Sequence, residues 1–182
     1  MASLGTRRAE ESDVTTPSVS IQEQAERWGA EAKRLADAGR DAAAFDLYRK
    51  AADALPGAPW LQHRTAEVAR KLKRDELAIE YFRRSAVAFR KASFEKRAVV
   101  PLRLAWSIAR GDLAQYGEVF LETAHDLAHL LGALGLTADA ESTLEETQDS
   151  LRRAGLSRLL HDTAPVSRAQ NSMYPTLRPQ SA

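Results

Sequence analysis

The sequence predicts an all-α protein built as an array of antiparallel helix pairs. The good helix formers Ala, Leu, Glu, Arg and Lys dominate residues 21–154. No stretch alternates between apolar and polar residues with the period of two that strands require. Several helix-like stretches also recur after a shift of 34 residues. With 182 residues the chain can bury a core without staples, and because it has no cysteine, thiolate metal sites and cysteine nucleophiles are excluded.

Composition divides the chain into three parts. Residues 1–20 are rich in Ser, Thr, Glu and Arg, and we expect a disordered N-terminal arm there. Residues 21–154 form the expected helical domain. Residues 155–182 contain three prolines among polar residues and are expected to be a flexible tail, apart from a possible turn at 156–161. The apolar segment 171–177 in this tail is interpreted as a docking peptide that folds on binding, as an occupant of this protein's own groove, or as an inert tail.

We expect seven helices, over 21–38, 41–54, 59–72, 75–92, 94–109, 113–134 and 138–154. Ser20 and Glu23 have the spacing of a capping box at the first helix. Gly39 and Gly135 are predicted to end helices in the left-handed conformation. Pro101 either kinks the fifth helix or starts a second piece after Val100. Three further residues are expected to cap the helices that follow them: Asp41, Asp75 and Thr137.

The 34-residue shift aligns small and aromatic residues. It places Ala32 on Ala66 and Tyr48 on Phe82, and it defines units at 25–58 and 59–92. A third unit, 121–154, matches the same template. This pattern resembles the tetratricopeptide repeat, whose unit is two antiparallel helices of about 34 residues. The alternative is an Ala- and Leu-rich bundle with chance periodicity.

The resemblance implies a right-handed array whose groove is lined by the first helix of each unit. Residues 93–120 are out of register, and such half-repeats are similar to helical-repeat regulatory proteins of myxobacteria, which suggests a bacterial regulator. Carrying over the family's groove positions gives the candidate partner-binding residues: Lys33, Trp60, His63, Glu67, Arg70, Lys71, His125 and His129.

Charge is strongly segregated along a chain whose net charge is only +1. The basic segment 64–110 holds 13 basic and 5 acidic side chains, whereas residues 111–154 hold 2 basic and 9 acidic ones. The basic segment is interpreted in three ways: as an ordinary solvated surface, as a site for an acidic protein or nucleic acid, or as the counterpart of the acidic part within or between chains.

Catalytic patterns are weak. His125 and His129 have the i, i+4 spacing of two zinc ligands, but position 126 is Asp where the protease motif has Glu, and no third ligand follows at a telling distance. Walker loops, dinucleotide fingerprints and nucleophile elbows are absent from the sequence. We therefore expect no enzyme, no cofactor and no metal.

The sequence favours an adaptor or regulatory protein that binds a peptide or helix of another protein in the groove. The alternative is a nucleic-acid-associated helical protein that uses the basic segment 64–110. A homo-oligomer is possible, and no membrane partner is expected. Because no signal peptide, lipidation motif or long apolar run occurs, the expected location is the cytoplasm.

Overall fold

The computed structural model describes residues 20–161. The expectations for the arm (residues 1–19) and for the tail from residue 162, including 171–177, lie outside the described residues. Residues 20–161 contain no strand and form eight helices. These are α1 (Ile21–Asp37), α2 (Asp41–Ala54), α3 (Pro59–Lys71), α4 (Asp75–Lys91), α5 (Glu95–Arg110), α6 (Leu113–Ala133), α7 (Thr137–Arg153) and α8 (Arg158–His161). The all-α helical array is therefore confirmed, and the seven expected helices agree within two residues at each end.

The helices form two layers. Consecutive helices are joined by short turns and pack closely on each other, so neighbours run antiparallel. Contacts between alternate helices define the layers: the Tyr81 hydroxyl of α4 donates to Asp53 Oδ1 of α2 at 3.1 Å, and Trp106 Nε1 of α5 donates to Thr147 Oγ1 of α7 at 3.0 Å. The odd layer comprises α1, α3, α5 and α7, and the even layer comprises α2, α4 and α6.

One type of turn recurs through the array. It contains a single residue in the left-handed conformation, which satisfies the last carbonyl groups of the preceding helix. After the first such residue, for example, the Arg40 N–H donates to the Leu35 carbonyl at 2.8 Å. The left-handed residues, with φ between 58° and 78°, are Gly39, Lys73, Ser93, Gly135 and Gly155. The predictions for Gly39 and Gly135 are thus confirmed, and the turns at 39 and 73 repeat the 34-residue spacing.

The capping predictions are partly wrong. The capping box is present, because Ser20 Oγ accepts from the Glu23 N–H at 3.1 Å and Glu23 accepts in return from the Ser20 N–H. The capping predictions for Asp41, Asp75 and Thr137 are wrong, since each is instead the first residue of its helix. The left-handed turn leaves one residue before the helix, and that residue takes the capping position without a side-chain hydrogen bond.

Small side chains let the helices approach closely. Fully buried Ala25 and Ala32 face the same side of α1 as Gly29, while Phe45 and Phe82 fill the space inside the array. Helix α5 continues unbroken through the buried Pro101, so no second piece starts after Val100.

The folded part extends beyond residue 154. The expected turn at 156–161 contains the short helix α8, and its leucines lie against α6. A methyl group added to Gly117 would lie 3.1 Å from the side chains of both Leu156 and Leu159. Within residues 20–161, no helix is both long and apolar enough to cross a membrane.

Candidate functional site

The candidate partner-binding residues divide between the two layers. Lys33 lies on α1, and the candidates from Trp60 to Lys71 lie on α3, so these six belong to the odd layer. His125 and His129 lie on α6, in the even layer. The reason is helix α5, which adds one helix between the predicted units and so places the first helix of the unit predicted at 121–154 in the layer opposite α1 and α3. The structure therefore does not bring all eight residues onto one face.

Trp60 anchors α3 on α1. Its side chain is 48% exposed, yet its ring lies so close to Gly29 that an added Cβ would be 2.9 Å from Trp60 Cη2. Glycine at position 29 therefore permits the close approach of the two helices. The outer part of the indole remains available to solvent.

His63 is held between the core and the surface. Its ring makes an edge-on contact with Phe82, with centroids 5.2 Å apart, and its Nε2 lies 3.7 Å from Glu67 Oε1. Burial lowers the pKa of His63 below its usual value, and Glu67 opposes this shift only in part. Its buried Nδ1 has no hydrogen-bond partner among the residues that the structure describes. Burial therefore favours the neutral form of the imidazole.

Most charged candidates of the odd layer already have partners. Lys33 Nζ lies 2.6 Å from Asp37 Oδ2, Lys71 Nζ lies 3.0 Å from Asp41 Oδ1, and Glu67 accepts from Arg64 at 2.7 Å. These pairs are largely exposed, so each contributes little and exchanges readily for a ligand. Of the six odd-layer candidates, Lys33, Trp60, Arg70 and Lys71 are exposed, and His63 and Glu67 are partly buried.

The basic and acidic parts of the chain meet within one molecule. Arg83 of α4 binds Glu122 Oε2 at 3.1 Å and Asp126 Oδ2 at 3.3 Å, both on α6. Helix α5 pairs with α7 through Arg103–Asp139, at 3.2 Å, and through Arg110–Glu146. One of the three interpretations of the basic segment is therefore confirmed for these arginines, which are neutralised internally.

The even layer contains a cleft of about 860 Å³ between α2, α4 and α6. Helix α4 runs along its floor, and the ends of α2 and α6 form its walls. Apolar side chains from all three helices line it: Ala52, Pro56, Ile79, Val87, Tyr116 and Val119. The sequence did not predict the cleft, because the position of α6 in the even layer depends on how α5 packs between α4 and α6.

Charge varies along the cleft. Glu76 and Glu80 lie towards the start of α4, and Lys91 lies at its end. Gln62 also lines the cleft: its amide donates to the Ala52 carbonyl at 2.8 Å, while its buried Oε1 has no partner among residues 20–161. Ion-paired side chains line the middle of the cleft: Arg83 with Glu122, and Arg84 with Asp53 and Glu80. The cleft is thus an apolar groove with charges of both signs along it and one spare acceptor beneath it.

The histidine pair on α6 lacks the surroundings of a metal centre. His125 is partly buried, His129 is exposed, and Asp126 between them binds Arg83. Burial raises the pKa of Asp126, and the guanidinium of Arg83 opposes this shift. Within residues 20–161, no group of three or more His, Asp or Glu side chains is arranged to hold a metal ion.

Comparison with known proteins assigns no family. No family model matches the chain, and no curated protein matches it. Among solved structures, it is similar to the crystal structure of BtubC (BKLC) from P. vanneervenii, with 14% sequence identity over 92% of this chain and 72% of that chain, and a TM-score of 0.42.

Proposed function

We propose that this protein is a non-catalytic adaptor that binds a helix or peptide of another protein in the cleft of the even layer. The observation that carries this proposal is the cleft itself, which has a volume of about 860 Å³ and in which apolar side chains of α2, α4 and α6 lie between charged ones. Apolar grooves between helices are a recurrent site for amphipathic helices, which insert residues spaced three or four apart.

The cleft has the length of a short helix. Its α4 residues extend from Glu76 to Lys91, which at 1.5 Å per residue corresponds to roughly 22 Å. That distance accommodates about four turns of a bound helix or about seven residues of an extended peptide.

The distribution of charge favours one orientation of a bound helix. The N-terminus of a helix carries a partial positive charge and its C-terminus a partial negative charge. Glu80 is paired with Arg84, but Glu76 and Lys91 have no ion pair among residues 20–161. An incoming helix is therefore favoured with its N-terminus near Glu76 and its C-terminus near Lys91, parallel to α4.

The recurrence of the helix pairs supports an adaptor rather than an enzyme. The resemblance to tetratricopeptide repeats, together with the matching turns at Gly39 and Lys73, supports a repeat array, and such arrays present extended binding surfaces. The resemblance alone favours the α1 and α3 groove, whereas the geometry favours the cleft.

Capture from native lysate with paired variants separates these two sites. Val87 is only partly buried, so Val87→Glu should place a charge in the cleft without unfolding α4. We expect this variant to lose the captured partner. The double variant Arg70→Glu/Lys71→Glu reverses charge on the odd layer, and we expect it to retain the partner.

Loss of the partner in Arg70→Glu/Lys71→Glu but not in Val87→Glu would instead assign the binding site to α1 and α3. Circular dichroism of each variant must first show an unchanged helical content. Capture should be repeated after nuclease treatment, because a partner that disappears would support the nucleic-acid alternative instead. Binding to RNA or DNA would then fall steeply as salt is raised.

A further inference from the structure

The exposed large apolar side chains of the described residues collect at one edge of the odd layer. Their exposure ranges from 46% to 66%. Each belongs to the beginning of an odd helix or to the turn before it: Ile21 in α1, Trp60 in α3, Phe94 and Val100 at α5, and Leu136 before α7. Since the odd helices run parallel, these five residues, which we call the apolar edge, lie towards the same end of the layer.

The register between α5 and α7 places two of them side by side. Arg103 pairs with Asp139 and Arg110 with Glu146, a constant offset of 36 residues. The same offset places Val100 opposite Leu136. The two exposed side chains therefore continue the row that the ion pairs begin.

Trp60 lies at the same position along the helix axes as Val100. Ser85 Oγ of α4 donates to the carbonyl of Pro59 at 3.0 Å, which fixes the start of α3 beside this point of α4. Because α4 and α5 are antiparallel and their turn is centred on Ser93, Ser85 is level with the residues around Val100. Trp60, Val100 and Leu136 therefore form a row across α3, α5 and α7.

Turn geometry explains only part of this pattern. An apolar residue after a left-handed turn often contacts the preceding helix, and this accounts for Phe94 and Leu136. It does not account for Ile21, Trp60 or Val100, which occupy ordinary helical positions. Large apolar side chains collected in this way on a surface mark interaction sites.

The middle of the apolar edge is positively charged. Residues 94–100 contain two basic side chains, Lys96 and Arg97, and one acidic one, Glu95. Arg97 lies over the ring of Phe94, with Cζ 5.0 Å from its centroid, and Lys96 is exposed with no ion pair among residues 20–161. The apolar side chains are thus accompanied by cations that the internal pairing of the chain leaves available.

We propose that the apolar edge docks an acidic amphipathic segment of a partner protein, and that this surface is separate from the cleft. The exposed cations attract carboxylates, and Trp60, Val100 and Leu136 supply apolar contacts at helix-to-helix intervals. A row across three helices suits an elongated protein segment better than a flat bilayer. The proposal concerns the odd layer, so it does not depend on the cleft in the even layer.

Binding of two designed peptides to the full chain tests this proposal. One amphipathic peptide carries Glu on its polar face, and its twin carries Lys at the same positions. We expect fluorescence anisotropy to show the acidic peptide binding at least about tenfold more tightly than its twin, since unlike charges attract and like charges repel. Its affinity should decrease with added salt because the cations are exposed.

Two double variants test whether the acidic peptide binds at the apolar edge. Val100→Ser/Leu136→Ser removes exposed apolar side chains, and Lys96→Glu/Arg97→Glu reverses the charge. We expect each to weaken binding of the acidic peptide about tenfold or more, whereas Val87→Glu in the cleft should leave it unchanged.

Three outcomes would overturn the proposal: equal binding of both peptides or of neither, acidic-peptide affinity unaffected by both edge variants, or loss of binding in Val87→Glu. Two further measurements test whether the apolar edge binds something other than a protein segment. Binding to anionic vesicles without peptide binding would assign the edge to a membrane surface. Dimerisation in analytical ultracentrifugation that Val100→Ser/Leu136→Ser abolishes would assign it to a second copy of the chain.

Discussion

Lys73 and Ser93 adopt a backbone conformation that suits glycine better. Their φ angles of 58° and 61° are left-handed, which costs a residue with a Cβ roughly 1–2 kcal/mol. We therefore predict that Lys73→Gly and Ser93→Gly each raise the free energy of unfolding by about 0.5–1 kcal/mol, because glycine removes this strain but gains entropy in the unfolded chain. Urea denaturation measures the change.

Glu145→Gly is the matched control. Glu145 is exposed in the middle of α7, where glycine lowers helix stability by up to about 1 kcal/mol. Destabilisation by glycine at positions 73 and 93, as at 145, would contradict the assignment of left-handed turns.

His63 makes the stability of the fold dependent on pH. Burial lowers its pKa in the folded protein below the value of 6.5 for an unperturbed histidine. The unfolded state therefore binds the proton first, and stability present above pH 6.5 is lost as the pH falls below that value. We predict that His63→Gln loses less of its unfolding free energy between pH 7 and pH 5 than the wild type.

His129→Gln controls for the His63 measurement. His129 is exposed on α6, so its replacement should leave the pH dependence close to that of the wild type. If both variants retain the same pH dependence as the wild type, His63 does not contribute in this way.

At the scale of elements, the sequence predicts where each helix begins and ends, but packing determines which layer each helix joins. The capping box at Ser20 and the left-handed glycines at 39 and 135 are local signals, and they located helix ends correctly. The layer of α6 is not local: it depends on α5 packing as a full helix between α4 and α6. Repeat alignment alone therefore placed His125 and His129 in a groove shared with α1 and α3.

The ion pair between α4 and α6 should contribute more to the stability of the fold than the ion pairs between α5 and α7. The side chains of Arg83 and Asp126 are 29% and 13% exposed, whereas those of Arg103 and Asp139 are 53% and 55% exposed. Removing the partner of a buried charge costs about 1–3 kcal/mol, while an exposed ion pair contributes less than about 1 kcal/mol. We predict that Arg83→Met destabilises the protein more than Arg103→Met does, as measured by urea denaturation.

The double variant Arg83→Met/Asp126→Leu separates the pair from other effects of Arg83. It removes both charges, so it should recover much of the stability that Arg83→Met loses. Equal and small effects of Arg83→Met and Arg103→Met would show that Asp126 is adequately solvated without its partner.

At the scale of the whole molecule, internal charge pairing separates the two proposed surfaces. The cleft lies in the even layer, beside the Arg83 pairs, and the apolar edge lies in the odd layer, beyond the Arg103–Asp139 pair. The near-neutral total charge conceals this arrangement, because oppositely charged parts of the sequence meet across the array. The two proposals together predict that the protein holds two partners at once.

Photo-crosslinking from the cleft tests the central claim most directly. A benzophenone amino acid is placed at Val87 in the cleft or, as the control, at the exposed Ala30 on α1, and each protein is irradiated in native lysate. The proposal predicts a discrete crosslinked protein partner from position 87, and it predicts that this partner is not crosslinked from position 30. Crosslinking of the same partner from position 30 but not from position 87 would contradict the proposal and place its binding site in the odd layer.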